Sequence, residues 1–139
     1  MVVAHVAEQA PLTRDVIGLQ AEQLFEVERG AIRKFAEAVG DSTPAFLRGD
    51  IAPPTFPTTF RMTIPGLSYD LARVLHGAQE YRYERPLRAG DRVRCRSLVT
   101  DVYRRHGRLG EMTFLIVDLE ARDESGALVF TGQTTAILR

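Results

Sequence analysis

Two hydrophobic periodicities divide the chain, one helical and one alternating. Between residues 28 and 39, Ile32, Phe35, Ala36 and Val39 recur at the spacing of one helical face, and Gly40 follows as a stop signal. The pattern therefore predicts an amphipathic helix over residues 28–39. A short strand over residues 24–27 is predicted immediately before it.

From residue 79 onward the hydrophobic period becomes two. Tyr81 and Tyr83 alternate with charged residues, and Val93 and Cys95 alternate with arginines. The pattern predicts four strands in a meander, with a bulge where the phase blurs near residues 97–99. Their predicted ranges are 79–85, 92–103, 111–121 and 127–138.

The stretch over residues 51–64 satisfies both periods. As a helix it would place apolar residues and threonines on one continuous face, namely Phe56, Thr59, Phe60, Thr63 and Ile64. As a strand it would alternate instead, through Phe56, Thr58, Phe60, Met62 and Ile64. Pro57 argues against a central strand, and Pro53, Pro54 and Pro57 would lie before or within the first turn of a helix, where a missing N–H costs little. Periodicity alone leaves both interpretations open.

If the central stretch is a helix, the order is strand, helix, buried helix and four strands. That order is α+β by class and typical of a hot-dog fold, in which an antiparallel sheet wraps around a central helix. A sheet of this kind leaves an edge strand with unpaired backbone groups, which a second copy or a related chain could cover. We therefore expect a single domain over residues 1–139 that dimerises.

Composition excludes several classes of function. The 139 residues carry 18 basic and 18 acidic side chains, so no overall field attracts nucleic acid or an anionic membrane. Cys95 is the single cysteine, so an internal disulfide is excluded, and an unpaired thiol suits a reducing compartment. Its place in an alternating strand indicates a small core residue. Residues 1–10 lack the basic start of a signal peptide. We expect a cytoplasmic protein.

Three segments together resemble the MaoC-like hydratase/dehydratase branch of hot-dog proteins. They are residues 35–41 (FAEAVGD), residues 51–56 (IAPPTF) and residues 76–91 (HGAQEYRYERPLRAGD). The chain looks most like the N-terminal MaoC-type dehydratase domain and the non-catalytic subunit of two-subunit (3R)-hydroxyacyl-ACP dehydratases. The resemblance implies that residues 51–64 form the hot-dog helix, and it implies no cofactor.

The resemblance breaks at the catalytic positions. Active relatives carry Asp-x-Asn-Pro-x-His after the first helix, and here that stretch ends in Phe46, which cannot transfer a proton. A glycine N–H that would steady the thioester oxygen is replaced by Pro54, which has no N–H. Asp41 retains the carboxylate, either as a vestigial or partner-facing group or as a turn cap. His76 is a second candidate for catalysis, or a structural hydrogen-bonding residue.

The remaining candidate residues concern binding. Residues 82–108 hold nine arginines against three acidic residues, and Arg92, Arg94 and Arg96 are candidates for contact with coenzyme A phosphates or an acidic carrier protein. A solvated sheet face is the alternative. Other residues would line an apolar acyl tunnel or belong to the core, namely Phe46, Pro54, Thr55, Phe56 and Phe60. No spacing of His, Cys or Asp indicates a metal site.

The sequence therefore predicts a subunit of an (R)-specific enoyl-thioester hydratase or 3-hydroxyacyl-thioester dehydratase. It would bind the acyl chain of an acyl-CoA or acyl-ACP substrate and pair with a catalytic MaoC-like chain. Two alternatives stay open, a homodimer that binds acyl thioesters without turnover and a hot-dog thioesterase with Asp41 or Glu37 as the working carboxylate.

Overall fold

A computed structural model of the chain describes residues 11–139, and these form one antiparallel sheet of five strands with short helical elements. The strands are β1 Gln20–Glu26, β2 Val74–Tyr83, β3 Arg92–Gly107, β4 Gly110–Arg122 and β5 Leu128–Leu138. The helices are α1 Arg29–Val39 and α2 Pro44–Leu47, and single 3-10 turns occur at Arg14–Val16, Phe56–Thr59 and Leu71–Arg73. Residues 1–10, which we expected not to form a signal peptide, lie outside the described residues.

The predicted amphipathic helix is confirmed as α1. Ile32 and Ala36 on its apolar face are fully buried, and the backbone N–H of Gly40 closes the helix by donating to the carbonyls of Ala36 and Glu37. No helix among the described residues is long and apolar enough to cross a membrane.

The predicted helix over residues 51–64 is wrong. Only Phe56–Thr59 is helical, as one 3-10 turn, and beyond it Phe60, Met62 and Ile64 are buried while Arg61 and Thr63 are exposed. The alternating interpretation therefore holds from Phe60 onward. Pro57 lies in the first turn, where a missing N–H costs little, so it does not end the helix. The reason is that an extended path buries Phe60, Met62 and Ile64 on one side, and the β-branched threonines of the stretch favour extended backbone.

The predicted meander of four strands is also wrong. The sheet order is β1-β3-β4-β5-β2, so β2 pairs with β5 at the far edge, where Tyr83 faces Phe130. Strands β3, β4 and β5 do form a meander. The chain between β2 and β3 cannot close a hairpin because its backbone groups are used elsewhere: the Leu87 carbonyl accepts from Ala52 and the Gly90 N–H donates to Val27.

The bulge predicted near residues 97–99 lies between Val99 and Asp101 in β3. A second bulge lies between His76 and Ala78 in β2. One face of the sheet, here called the inner face, packs against α1 and residues 52–69, and it carries two apolar clusters. The opposite, outer face carries the arginines of β3.

Candidate functional site

Asp41 directly follows α1 and serves as a turn cap. Its backbone N–H donates to the Ala36 carbonyl at 3.0 Å, and its Oδ1 accepts from the Thr43 N–H at 2.9 Å. Hydrogen bonds from the side chain and the backbone of Thr43 hold the pKa of Asp41 below its usual value. The carboxylate is therefore ionised at neutral pH and holds the connection between α1 and α2.

Phe46 lies in α2, which begins at Pro44, a residue whose fixed φ suits the first helical position. Its ring is half-buried and offers no group that could donate or accept a proton. The loop that follows is fastened to the start of α1, because the Asp50 carboxylate accepts hydrogen bonds from both Arg29 and Arg48. The loop after α2 is therefore held against the start of α1.

Pro54 is held through its carbonyl rather than through an N–H. The Tyr83 hydroxyl of strand β2 donates to the Pro54 carbonyl oxygen at 2.6 Å. Burial, with a smaller contribution from Tyr81, raises the pKa of Tyr83 well above its usual value, so the phenol stays protonated. The position that should supply an oxyanion donor is thus occupied by an acceptor that already has its hydrogen bond.

His76 and Gln79 lie on β2, which is an edge strand within residues 11–139. The His76 side chain is exposed, and Gln79 is half-buried and accepts a hydrogen bond from the Thr134 hydroxyl at 2.7 Å through its Oε1. Their register partners on β5 are Ala136 and Thr134, so both side chains belong to the inner face.

The candidate tunnel residues Phe56 and Phe60 belong to the core. They are 2% and 5% exposed, and their ring centroids lie 5.7 Å apart in an edge-to-face contact. Phe60 also stacks on Phe25 at 4.5 Å, and Phe56 meets Phe35 at 5.7 Å. Such aromatic contacts stabilise beyond simple area burial. Thr55, in contrast, is exposed.

Arg92, Arg94 and Arg96 lie on the outer face, on the other side of the sheet from Phe56 and His76. Each has an acidic or amide partner. Arg92 pairs with Glu26 and Glu124, Arg94 pairs with Glu22, and Arg96 donates to Gln20. These exposed pairs contribute little stability, so a stronger anion could displace them.

The candidate catalytic positions are therefore dispersed. Asp41 caps the end of α1, Pro54 sits beside Tyr83, and His76 stands on the edge of the sheet; in the described part of the chain no hydrogen bond joins any two of them. Nor do three His, Cys, Asp or Glu side chains of residues 11–139 come close enough to hold a metal ion. Among residues 11–139, the three candidate positions therefore do not form an acid–base pair with one another.

Sequence comparison gives the family. The family described as "FAS1-like, dehydratase domain region" matches residues 15–132. The chain belongs to this family. A UPF0336 protein of Thermobifida fusca (strain YX) is 36% identical over 147 aligned positions, which cover 92% of this chain and 94% of the relative.

Solved structures share the fold of this family member. One chain of the C-terminally truncated HadBC (3R-hydroxyacyl-ACP dehydratase) complex from Mycobacterium tuberculosis superposes with a TM-score of 0.72 at 24% identity, and the alignment covers 91% of this chain and 99% of that chain. A MaoC-like dehydratase superposes with a TM-score of 0.74 at 22% identity, covering 88% of this chain and 42% of that one. The predicted MaoC-like hot-dog fold is therefore confirmed, although its central helix is reduced to a single turn.

Two polar contacts of this family member were missed from the sequence, Tyr83 with Pro54 and Gln79 with Thr134. Because side chains two residues apart in a strand share a face, the sequence alone indicates that Gln79 lies on the same face as Tyr81 and Tyr83. The sequence could not identify their hydrogen-bond partners, Pro54 and Thr134, because these lie 29 and 55 residues away in sequence and the contacts depend on the tertiary fold.

Proposed function

We propose that this chain is the non-catalytic, acyl-chain-binding subunit of an (R)-specific enoyl-thioester hydratase or 3-hydroxyacyl-thioester dehydratase. It pairs with a catalytic MaoC-like chain that carries the complete Asp/His motif. The pair adds water across the enoyl double bond of an acyl-CoA or acyl-ACP, or removes it, in the cytoplasm.

The observation that carries this proposal is Phe46 in place of the motif's histidine. Hydration needs one group to take a proton from water and another to deliver a proton to the neighbouring carbon. Asp41 is already engaged with Thr43, and Phe46 can do neither task. The loss of the oxyanion donor at Pro54 supports the same conclusion.

The partner chain is supported by the sheet edge. Strand β2 presents its outer edge without a neighbouring strand in residues 11–139, and Leu75 on it is 45% exposed. An open edge with an exposed apolar side chain favours association with another strand. HadBC, whose fold this chain shares, is itself a complex.

The substrate contacts remain part of the proposal. Phe46 and Thr55, which are not core residues, would border the acyl chain, with Phe56 and Phe60 beneath them. Arg92, Arg94 and Arg96 would contact coenzyme phosphates or the acidic carrier from the outer face, exchanging their present partners for a stronger anion.

Hydration of crotonyl-CoA tests the proposal, with enoyl absorbance and free thiol followed in parallel. We expect no reaction from the purified chain and hydration from the chain coexpressed with a catalytic MaoC-like subunit. In that pair Asp41→Asn should change kcat/KM less than about twofold, whereas Asp→Asn in the partner's motif should lower it by about 100-fold or more.

Other outcomes would contradict the proposal. Hydration by the chain alone that disappears with Asp41→Asn or His76→Gln would show that it is catalytic. Thiol release from acyl-CoA would identify a thioesterase. Saturable acyl-CoA binding without turnover, with no catalytic chain improving either solubility or activity, would identify a homodimeric binding protein.

A further inference from the structure

The inner face of the sheet carries a polar pair between its two apolar clusters. Phe130 belongs to one cluster and Tyr81 packs against it, whereas Val74 and Ala136 pack against the other. Gln79 and Thr134 lie in the row between them, facing each other across β2 and β5, and belong to neither cluster. Their hydrogen bond, 2.7 Å long, is partly buried.

The bulge in β2 determines which side chains share this face. In a regular strand, residues 76 and 79 would point to opposite faces, because successive side chains alternate. The register shift between His76 and Ala78 adds one residue, so His76 and Gln79 face the same way. Gly77 fits the bulge because a Cβ there would lie 2.7 Å from Ile137 Cδ1.

The side-chain amide of Gln79 has unused donors in the described part of the chain. Its Oε1 accepts from the Thr134 hydroxyl, which fixes the amide plane, while its Nε2 has no partner among residues 11–139. Gln133 on the outer face differs, because its Nε2 donates to Asp118 at 2.9 Å. Gln79 is half-buried on the edge strand β2, and it thus offers two oriented N–H groups on the inner face of the sheet.

We infer that Gln79, oriented by Thr134, forms a polar subsite that binds the C3 oxygen of a 3-hydroxyacyl chain. The inference rests on the proposed function and extends it by naming a residue that distinguishes the 3-hydroxyacyl thioester from the enoyl thioester. Amide N–H groups need an acceptor oxygen, and the half-buried apolar side chains on either side of Gln79 along the inner face of β2, Tyr81 and Val74, suit the methylenes of an acyl chain. An enoyl or saturated chain has no oxygen at C3 to accept these hydrogen bonds.

Calorimetric titration with two ligands, (3R)-hydroxydecanoyl-CoA and decanoyl-CoA, tests the inference. The wild-type chain should bind the hydroxylated ligand several-fold more tightly. Gln79→Leu, which keeps the size and removes the donors, should reduce that preference by about three- to tenfold, the value of one neutral hydrogen bond. Gln133→Leu is the matched control, since it removes an amide on the opposite face, and it should leave the preference unchanged.

Two substitutions at Thr134 separate orientation from packing. Thr134→Val is nearly isosteric but cannot hold Gln79 Oε1, so it should weaken the preference, whereas Thr134→Ser keeps the hydroxyl and should restore it. A structural role alone would affect the binding of both ligands equally. Thermal unfolding of each variant verifies that it remains folded.

Three results would overturn the inference. They are an unchanged preference in Gln79→Leu, an equal loss for both ligands, and no binding of either ligand by the wild-type chain. A change in oligomeric state without a change in preference would instead place the Gln79 amide at a subunit contact. All of these can occur while the coexpressed pair still hydrates crotonyl-CoA, so the inference and the proposed function fail separately.

Discussion

At the residue scale, burial decides what single side chains can do. Cys95 lies in β3 on the inner face with no exposed surface, and burial raises the pKa of its thiol to about 12. Burial, with a smaller contribution from Cys95, raises the pKa of Tyr81 to about 12 as well. A thiol that stays protonated inside a core is a packing residue, as the sequence predicted, and not a nucleophile.

The raised pKa values predict a loss of stability in alkali. Each group has a higher pKa folded than unfolded, so its stabilisation is complete below the unfolded value, about 9 for the thiol, and declines as pH rises toward about 12. Cys95→Ala removes the thiol and should start less stable, because it leaves a small cavity. Its free energy of unfolding should then fall less between pH 8 and pH 10.5 than that of the wild type.

Urea unfolding at several pH values measures this difference. The gap in unfolding free energy between wild type and Cys95→Ala should narrow as pH rises, since only the wild type must protonate a thiolate in order to fold. A gap that stays constant over that range would contradict the assignment.

At the element scale, the loop after α2 is more constrained than its composition indicates. Gly49 has a φ of +76° and is buried, and Asp50 beside it binds Arg29 and Arg48. A Cβ at Gly49 would lie 2.5 Å from the Arg29 carbonyl oxygen. The loop therefore depends on close backbone approach as well as on charge.

Substitution of two glycines separates these effects. Gly126→Ala changes a residue with a φ of +84° and open space around its Cβ, so it should cost only the conformational strain of about 1–2 kcal/mol. Gly49→Ala adds the collision with Arg29 and should cost about 3 kcal/mol or more. Chemical denaturation compares the two, and equal losses would show that the loop relaxes freely away from α1.

At the scale of the whole molecule, the open edge of β2 is the surface where we expect association. Leu75 on β2 is 45% exposed, and the strand has a neighbour, β5, on one side only within the described residues. We expect the edge to be covered by a second hot-dog chain. An aspartate at Leu75 should therefore weaken association without unfolding the subunit.

Analytical ultracentrifugation of Leu75→Asp tests that expectation. The variant should shift toward monomer at a concentration where the wild type is dimeric, and it should lose copurification with a catalytic chain. Leu109→Asp is the matched control, because Leu109 is 83% exposed at the β3–β4 turn, away from the edge. A wild-type chain that sediments as a monomer at micromolar concentration, alone and with a catalytic chain, would refute the prediction.

Helix α1 was determined by local sequence, because its apolar stripe and Gly40 act within a few residues of each other. Strands β3, β4 and β5 were found for the same reason, since alternation is a local property, whereas residues 20–23 of β1 and 74–78 of β2 were missed. That Phe46 cannot transfer a proton was also readable from the sequence, because it follows from side-chain chemistry alone.

Only the tertiary structure decided the rest. Local pattern could not choose between helix and strand at residues 56–64, because both periods fit the stretch, and core packing then fixes an extended path for Phe60, Met62 and Ile64. It could not pair β2 with β5, since backbone partners for Leu87 come from a distant segment. Nor could it join Gln79 to Thr134, because a contact across strands exists only once their register is set by the fold.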